Sequence, residues 1–387
     1  MLFILFGYQF HIFEIPLLIF LMGYFIIQFV LEKGRIINEI DEDKKYFHLF
    51  LMGFFLLFVS KIISFWPAMD KTLVISDLLK WAEIFIFVIL VFNFKYFKYI
   101  YWILFLVTFS PVIISIYSTI LNFNFFSGYR VLPGYPSVFS LSLLLPFSRK
   151  NHFIGFICIL LFITNILSIT RGAWLPMAVV LSYYILINLR DNKKYIFKML
   201  GIILITILVI VNIPAVQNNI YRRTLNPLLT NSTSNFERSG MIALCIDIFR
   251  ENPIMGIGSG NFATYAAENP YFYLGRYLEI PENMAPHAFF LQLLAENGIF
   301  GFIAMVMIFL ILAKVLFEEK RYLKYRDGKE YILGLRMFYL SFMIHLIFGY
   351  VAGSNRLIFG LLMGLSLSLL KKENTLGNIG KNVDNYK

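Results

Sequence analysis

Histidine and arginine are the residues of this chain whose types and positions best suit chemistry. His287 follows Pro286 and precedes a long apolar run, which places its imidazole at the mouth of a predicted helix. An imidazole changes protonation near neutral pH, although a lone histidine is more often structural than functional. Several arginines are predicted on the same side of the chain, and guanidinium groups bind phosphate oxygens through paired hydrogen bonds. These residue types suit a polyanionic substrate.

Metal chemistry is not expected. The five histidines, His11, His48, His152, His287 and His345, have no partners at metal-ligand spacing. The two cysteines, Cys158 and Cys245, fall in an apolar run and in a polar loop, and they form neither a metal motif nor an evident disulfide. The sequence predicts no metal and no other cofactor.

The elements that must position these residues are membrane-spanning helices. Of the 387 residues, 59% are hydrophobic and 15% are charged, whereas a soluble domain has about 25% charged and about 45–50% apolar residues. This composition excludes a soluble enzyme, a nucleic-acid-binding domain and a disulfide scaffold. The net charge of +11 is typical of basic cytoplasmic loops in a membrane chain. We therefore predict an all-α polytopic membrane protein.

Apolar runs bounded by charged residues predict eleven spans, since roughly 20 residues cross a bilayer. Met1–His11 is apolar but too short to cross, and as a half-span it would raise the number of helices to twelve. No basic stretch precedes the first span, so no cleavable signal peptide is expected. The predicted spans are Ile12–Leu31, Phe47–Phe65, Leu73–Phe92, Tyr99–Ile120, Tyr135–Phe147, His152–Ile169, Gly172–Leu189, Met199–Ile213, Ala288–Ala313, Tyr331–Ala352 and Leu357–Leu370.

Basic residues predict the orientation of the spans. The loops after spans one, three, five, seven and nine and the C-terminal tail together hold 22 lysines and arginines, whereas the short loops on the other side hold four. The more basic side is expected in the cytoplasm. The chain then divides into a bundle of about eight spans over residues 1–213, an extracytoplasmic loop over 214–286, three spans over 287–370 and a cytoplasmic tail over 371–387.

The outer side is rich in arginine. Nine basic residues are predicted there and eight are arginine, although lysine is the commoner of the two in the whole chain. Orientation does not require this bias, because lysine and arginine both serve it. A polyanionic substrate would explain it, whereas the alternative is that the arginines reach lipid headgroups or pair with loop carboxylates. The eight are Arg130, Arg171, Arg222, Arg223, Arg238, Arg250, Arg276 and Arg356.

The outer loop is too long for a simple connection and contains a predicted amphipathic helix. Ser234 to Glu237 form a capping box, and Asn252-Pro253 ends the helix, which places Arg238 in its first turn. The apolar face is expected at Ile242, Cys245, Ile246 and Phe249. The run Gly256-Ile257-Gly258-Ser259-Gly260-Asn261 follows no predicted strand and matches no phosphate-binding pattern, so we interpret it as a tight turn between two loop helices.

Several ionisable residues fall inside predicted spans. Asp77, Lys80 and Glu83 lie three residues apart on the third span, and Lys61 is available on the second. Such groups are expected to pair inside the bundle, either as an internal brace, which we favour, or as a path for protons or ions. His345 lies in the middle of the tenth span, where a polar residue is a candidate for function.

Four motifs resemble those of a known superfamily. His287-Ala288, nine further residues and Gly298-Ile299-Phe300-Gly301 resemble the signature of bacterial O-antigen ligases, in which asparagine, serine or glutamine follows the histidine. Alanine at this position favours a repeat-unit polymerase within the wider ligase and polymerase superfamily. The motifs occur in the superfamily's order between about Arg130 and Gly301. The others are the arginine-bearing turn Thr170–Leu175, Arg238 followed by Ile242, and Asn252-Pro253 before Gly256-Ile257-Gly258.

This resemblance implies a membrane glycosyltransferase with a fold similar to other polyprenyl-dependent enzymes, known as GT-C-like. Such enzymes transfer a glycan from undecaprenyl pyrophosphate to an acceptor sugar hydroxyl outside the cytoplasmic membrane. By resemblance, His287 would be the catalytic base, and Arg171 and Arg238 would hold the pyrophosphate; we add Arg130 and Arg356, from neighbouring outer turns. The implied partners are the lipid-linked donor, the glycan acceptor and the bilayer, with no nucleic acid.

Three other functions are weighed against the polymerase. An O-antigen ligase would use the same donor but transfer the glycan to lipid A core or another acceptor. A transporter or flippase of lipid-linked glycans would depend on midplane groups such as Lys80, Glu83 and His345 rather than on His287. A structural scaffold would leave the outer arginine bias unexplained.

Overall fold

The computed structural model describes residues 4–5, 8–9, 44–94, 96–121, 134–168, 170–189, 192–212, 217, 233–278, 286, 288–319, 328–349 and 354–371. Two short strands, β1 and β2, pair in antiparallel register near the N-terminus, where the sequence suggested a membrane half-span. That expectation is wrong for these four residues. β1 is Ile4–Leu5 and β2 is Tyr8–Gln9.

Twelve helices lie in the described part of the chain. Ten of them, α1–α7 and α10–α12, coincide with the ten predicted spans that fall on described residues, with bounds that differ by a few residues; the first predicted span lies outside. The helices are α1 Lys44–Ile63, α2 Lys71–Asn93, α3 Phe97–Leu121, α4 Gly134–Leu144, α5 His152–Leu167, α6 Arg171–Asn188, α7 Lys193–Val211, α8 Thr233–Glu251, α9 Phe262–Glu268, α10 Phe289–Phe317, α11 Lys329–Phe348 and α12 Ser354–Ser368.

Five of the described helices are long and apolar enough to cross a membrane, namely α1, α3, α7, α10 and α11. Helices α4, α5, α6 and α12 are apolar but shorter. Helix α2 has 23 residues, yet beyond its first residue, Lys71, it carries three charged residues, Asp77, Lys80 and Glu83. The prediction of an all-α polytopic membrane protein is confirmed.

The chain divides into two compact units, and the first comprises residues 1–101, 237–328 and 346–387. Helix α1 packs against α10, and α2 packs against α12. Gly360 and Gly364 lie on the face of α12 that meets α2, where an added Cβ would come within 2.8 Å of Phe87 and 2.5 Å of Val91. Small residues four apart allow two helix backbones to approach closely, which is a common interface in membranes.

Helix α8 of the outer loop differs from its prediction in two respects. It begins at Thr233, so Arg238 lies in its second turn, and it ends at Glu251 as expected. Its buried apolar side chains are Met241, Leu244, Cys245 and Ile248. The predicted face shared only Cys245 with this set, because apolar residues surround much of this helix and more than one stripe at helical spacing fits the sequence.

A β-hairpin follows α9 in the outer loop and was not predicted. Strands β3 (Tyr271–Tyr273) and β4 (Arg276–Leu278) pair in antiparallel register through a two-residue turn. The hydroxyl of Tyr271 donates a hydrogen bond of 2.5 Å to Asp247 on α8, which attaches the hairpin to that helix. Burial and this hydrogen bond to a carboxylate raise the pKa of Tyr271 to about 12.

The second unit comprises residues 102–236 and 329–345. Helix α4, continued by a 3₁₀ turn at Leu145–Phe147, packs against α5 and α6. Serine hydroxyls link helices where backbones are close, as between Ser142 and Ser341 at 3.3 Å. At one end of this unit, Lys150 and Glu330 form an ion pair of 2.6 Å.

Candidate functional site

A buried polar cluster, defined here as Lys61, Asp77, Ser259, Glu296 and Asn297, joins the outer loop to the helices of the first unit. The Lys61 ammonium is 1% exposed and donates to Asp77 at 2.5 Å, to Ser259 at 2.8 Å and to Asn297 at 3.5 Å. The Ser259 hydroxyl in turn donates to the same Asp77 oxygen. A buried charge is tolerated when it is paired and hydrogen-bonded in this way. The expected pairing of Asp77 with Lys61 is therefore present, and its geometry favours a brace.

The outer loop is inserted into a break in α10. Gly298 has φ 64° and ψ −166°, which interrupts the helix after Asn297. The Ile299 N–H donates to Pro253 at 2.9 Å, and the N–H groups of Ile257 and Gly258 donate to the carbonyls of the α10 residues 295 and 296 at 3.0 and 3.1 Å. Loop backbone thus replaces hydrogen bonds that a continuous helix would have made, as the low-dielectric interior requires.

Two glycines allow this insertion. A Cβ at Gly298 would come within 2.5 Å of the Ile254 carbonyl carbon and 2.9 Å of the Pro253 oxygen. Gly256, with φ +66°, would place its Cβ against the Glu296 carbonyl. The first glycine of the ligase-like signature is therefore explained by backbone packing, and the second, Gly301, lies where α10 approaches α1.

The Glu296 carboxylate on α10 also binds the loop, at the residues that follow the inserted segment. Its two oxygens accept the backbone N–H groups of Gly260 at 2.9 Å and Phe262 at 3.2 Å, and the Gln292 amide donates to it at 3.0 Å. A carboxylate that accepts several N–H groups is a strong anchor. The interpretation of the glycine run as a turn between loop helices is confirmed, and its backbone amides bind the protein's own carboxylate.

The start of α2 is tied to the same loop. The side chain of Asn261 accepts from the Asp70 backbone N–H at 2.7 Å and donates to the Asp70 carbonyl at 3.0 Å. Asp70 caps α2 by accepting hydrogen bonds from the side chain and backbone of Thr72, and these lower the pKa of its carboxyl. Helices α2 and α10, which contribute to the polar cluster, are therefore also fixed to the loop through backbone groups.

A small cavity of about 80 Å³ lies beside the polar cluster. Its charged lining residues are three cations, Lys61, Lys80 and Arg356, and two carboxylates, Asp77 and Glu296. Arg356 on α12 is 6% exposed and forms a 3.3 Å ion pair with Glu83 on α2. Within the described part of the chain, Lys80 takes part in no hydrogen bond or ion pair, and its charge acts on the Asp77 carboxylate, as the charge of Lys61 does.

The structure describes only some of the five predicted site residues, and it places these in different elements. Arg356 lines the cavity, and Arg238 is half-buried on α8. Helix α6 begins at Arg171, whose side chain lies outside the description. Arg130 and His287 also lie outside the described residues. The roles of all five remain predictions.

The residue after His287 has a structural role of its own. Ala288 is the N-cap of α10; its carbonyl accepts the Gln292 N–H, and its side chain provides no cap. Asparagine and serine are preferred N-cap residues because their side chains accept an N–H of the first turn. The departure of Ala288 from the ligase signature therefore removes a helix cap as well as a polar group.

The arginine-bearing turn and His345 meet around Tyr135 in the second unit. The Tyr135 ring lies 4.1 Å from the His345 ring, centroid to centroid, and its hydroxyl packs against Gly172 so closely that no side chain would fit there. Phe139 meets His345 edge-on at 5.6 Å. His345 is thus held among aromatic rings next to the turn that carries Arg171.

Sequence reasoning did not identify Ser259, Glu296 and Asn297 as members of one cluster. Glu296 and Asn297 are polar residues inside an otherwise apolar span, a signal that marks functional or structural polar sites in membranes. The cysteines are free, as expected, and both are buried; burial raises the pKa of the Cys245 thiol. No group of three or more histidine, cysteine or acidic side chains able to hold a metal occurs within the described residues.

These features define a polytopic helical membrane protein in which a loop segment over residues 253–258 is inserted into a broken helix. Residues 156–306 match the family model of O-antigen ligase. The matched region includes Arg171, Arg238 and the signature from His287 to Gly301, and it confirms the resemblance to the O-antigen ligase and polymerase superfamily. With the apolar helices, it supports a multi-pass protein of the bacterial inner membrane. No curated protein matches the chain.

Proposed function

We propose that this protein is a polysaccharide repeat-unit polymerase that transfers an undecaprenyl-pyrophosphate-linked glycan to an acceptor sugar hydroxyl at the outer face of the cytoplasmic membrane. The match of residues 156–306 to the O-antigen ligase family carries this proposal, since the predicted base and the two pyrophosphate arginines all fall within it. In the proposed orientation, the outer loop is extracytoplasmic and the C-terminus is cytoplasmic.

In the proposed reaction, the acceptor oxygen forms a bond to the anomeric carbon while the bond from that carbon to the pyrophosphate oxygen breaks. His287 takes the proton of the acceptor hydroxyl. The leaving pyrophosphate gains negative charge, which Arg171 and Arg238 stabilise through bidentate contacts, so that the step needs no metal. Arg130 and Arg356 add positive charge nearby.

The geometry around Arg356 supports its part in this proposal. Its ion pair with Glu83 fixes the guanidinium group at the wall of the cavity, where Lys80 supplies a second positive charge. The cavity is lined by Phe289, two residues after His287. The cavity wall that would hold a pyrophosphate oxygen is therefore adjacent in sequence to the predicted base.

Ala288 favours a polymerase over a ligase because it departs from the ligase signature. Its position as the N-cap of α10 gives this departure a structural explanation that does not involve the acceptor. The ligase therefore remains the second candidate. A flippase would need mobile charges at the bilayer midplane. The saturated hydrogen bonding of Lys61 supports a fixed brace instead.

The proposal is tested with purified protein and lipid-linked repeat units alone, in the presence of EDTA, with products resolved by length. We expect a ladder of longer lipid-linked glycans that is lost in His287→Ala. His48→Ala is the matched control, since His48 is exposed on α1 and should leave the ladder unchanged. A normal ladder from folded His287→Ala would refute the assigned base.

The absence of a ladder would separate the other functions. Binding of the donor without elongation, followed by transfer once lipid A core is added, would establish a ligase. Failure of both elongation and donor binding would favour a transporter or flippase of lipid-linked glycans over a glycosyltransferase.

A further inference from the structure

A second cavity, of about 300 Å³, lies within the second unit and belongs to none of the motifs described above. It runs between α4, α5 and α7, with Leu181 of α6 at one wall. Along α5 it extends from His152 to Phe162, and along α7 from Tyr195 to Thr206. With a rise of 1.5 Å per helical residue, it is about 15 Å long, which is about half of the roughly 30 Å hydrocarbon core. This is the depth of one leaflet.

Among the described residues that line this cavity, basic side chains occur at only one end. Arg149 lies in the turn before α5, His152 begins α5, and Lys198 lies in the second turn of α7. All three are exposed, and none makes a hydrogen bond or ion pair within the described ranges. The neighbouring Lys150 is instead paired with Glu330. The walls away from this end are formed mainly by leucine, isoleucine, phenylalanine and methionine side chains, together with Gly155, Cys158 and Thr206.

A hydrogen bond within the protein links two walls of the charged end. Ser148 hydrogen-bonds Tyr195 at 2.8 Å, which ties the turn after α4 to the first turn of α7. The rest of α7 is poorly covered, since only Ile196 and Ile210 of its 19 residues are buried. A membrane-spanning helix with so little protein around it is surrounded by lipid, so acyl chains have direct access to the cavity.

We propose that this cavity binds an anionic glycerophospholipid, with one acyl chain along α5 and α7 and the phosphodiester between Arg149 and Lys198. Apolar walls of leaflet depth suit an acyl chain better than a soluble anion. Basic side chains at the membrane surface that have no partner within the described ranges suit a headgroup with net negative charge better than a zwitterionic one, whose own ammonium group offsets its phosphate. The basic-residue count assigns this end of the helices to the cytoplasmic side, where basic pockets between spans bind anionic headgroups.

The test is native mass spectrometry of the full chain in detergent, titrated with phosphatidylglycerol and, separately, with phosphatidylcholine of the same acyl chains. We expect saturable binding of one phosphatidylglycerol and markedly weaker binding of phosphatidylcholine. Each cation removed should weaken phosphatidylglycerol binding about fivefold, so Arg149→Gln/Lys198→Gln should weaken it by roughly 25-fold. Lys194→Gln is the matched control, because Lys194 is exposed on α7 and does not line the cavity.

A second pair of variants tests the acyl-chain site. Ile203→Trp should fill the cavity and reduce binding of the lipid, whereas Ile205→Trp, on the lipid-exposed side of α7, should not. Unchanged melting and gel-filtration profiles establish folding. Equal binding of phosphatidylcholine, no effect of the double variant, or an equal effect of Lys194→Gln would overturn the proposal. Displacement of phosphatidylglycerol by undecaprenyl phosphate at equimolar amounts would assign the cavity to the isoprenoid carrier instead.

Discussion

Replacing Gly298 with alanine should separate the outer loop from α10. Alanine at φ 64° and ψ −166° occupies a region that is essentially reserved for glycine. Its Cβ would also meet the Ile254 carbonyl carbon at 2.5 Å, and this neighbour is backbone that cannot rotate away. The loop must therefore move, and its backbone hydrogen bonds to α10 must lengthen or break.

The loss in free energy of unfolding is the sum of the backbone strain at position 298 and the lost hydrogen bonds between the loop and α10. Backbone strain at such a position costs on the order of 1–3 kcal/mol. Three loop-to-helix hydrogen bonds are at risk, and each contributes about 0.5–1.5 kcal/mol net. Loss of one or two of them together with the strain lowers the free energy of unfolding by about 3–5 kcal/mol. For a chain of this length, that corresponds to a fall in melting temperature of roughly 5 °C.

The assay is thermal unfolding in detergent, followed by limited proteolysis of the outer loop. Gly201→Ala is the matched control, since an added Cβ in α7 meets nothing within 4 Å and should stabilise the helix by up to about 1 kcal/mol. We expect Gly298→Ala to melt earlier and to be cleaved faster in the loop. If it melts at the temperature of the parent protein and resists protease, the insertion of the loop into α10 does not stabilise the protein.

Two further perturbations test the polar cluster and the hairpin. Lys61→Met or Asp77→Asn alone should destabilise by about 3–5 kcal/mol, because each leaves a buried charge without its partner, whereas the double variant should lose less than the sum. Stable single variants without activity would instead favour a proton or ion path. The raised pKa of Tyr271, about 12, means that its neutral phenol stabilises the loop fully below pH 10 and loses this effect as pH rises towards 12. Tyr271→Phe should therefore show a shallower fall in melting temperature over that interval, and an unchanged slope would show that the hydrogen bond to Asp247 is not responsible.

The helices were the most predictable part of this fold. Apolar runs bounded by charged residues locate spans directly, and His152 begins both the predicted span and α5. The break at Gly298 was not predictable in the same way, because the apolar pattern continues across it and only the inserted loop interrupts the helix. The prediction of the buried face of α8 was wrong for a related reason, since apolar residues lie on several sides of this helix and fit more than one stripe at helical spacing.

The candidate site was partly predictable. The Lys61–Asp77 pair follows from the cost of isolated charges in a membrane, and Arg356 was placed on an outer turn, where it lines the cavity. The partners Ser259 and Glu296 could not be assigned, because they come from segments 198 and 36 residues from the groups that they bind. Hydrogen bonds over such separations depend on tertiary packing and leave no periodic signal in the sequence.

The insertion of the loop into α10 has a consequence for the order in which the protein is assembled. The backbone hydrogen bonds between residues 253–258 and 295–299 join segments about forty residues apart, and the loop is synthesised before the helix. Closing a short segment costs less chain entropy than closing a long one, so this junction can form as soon as α10 emerges from the ribosome. The contacts of Ser259 and Asn297 with Lys61 on α1 span about two hundred residues. We expect Lys61 to pair early with Asp77, which is 16 residues away, and the loop and α10 to reach α1 later as a preformed pair that adds Ser259 and Asn297 to its partners.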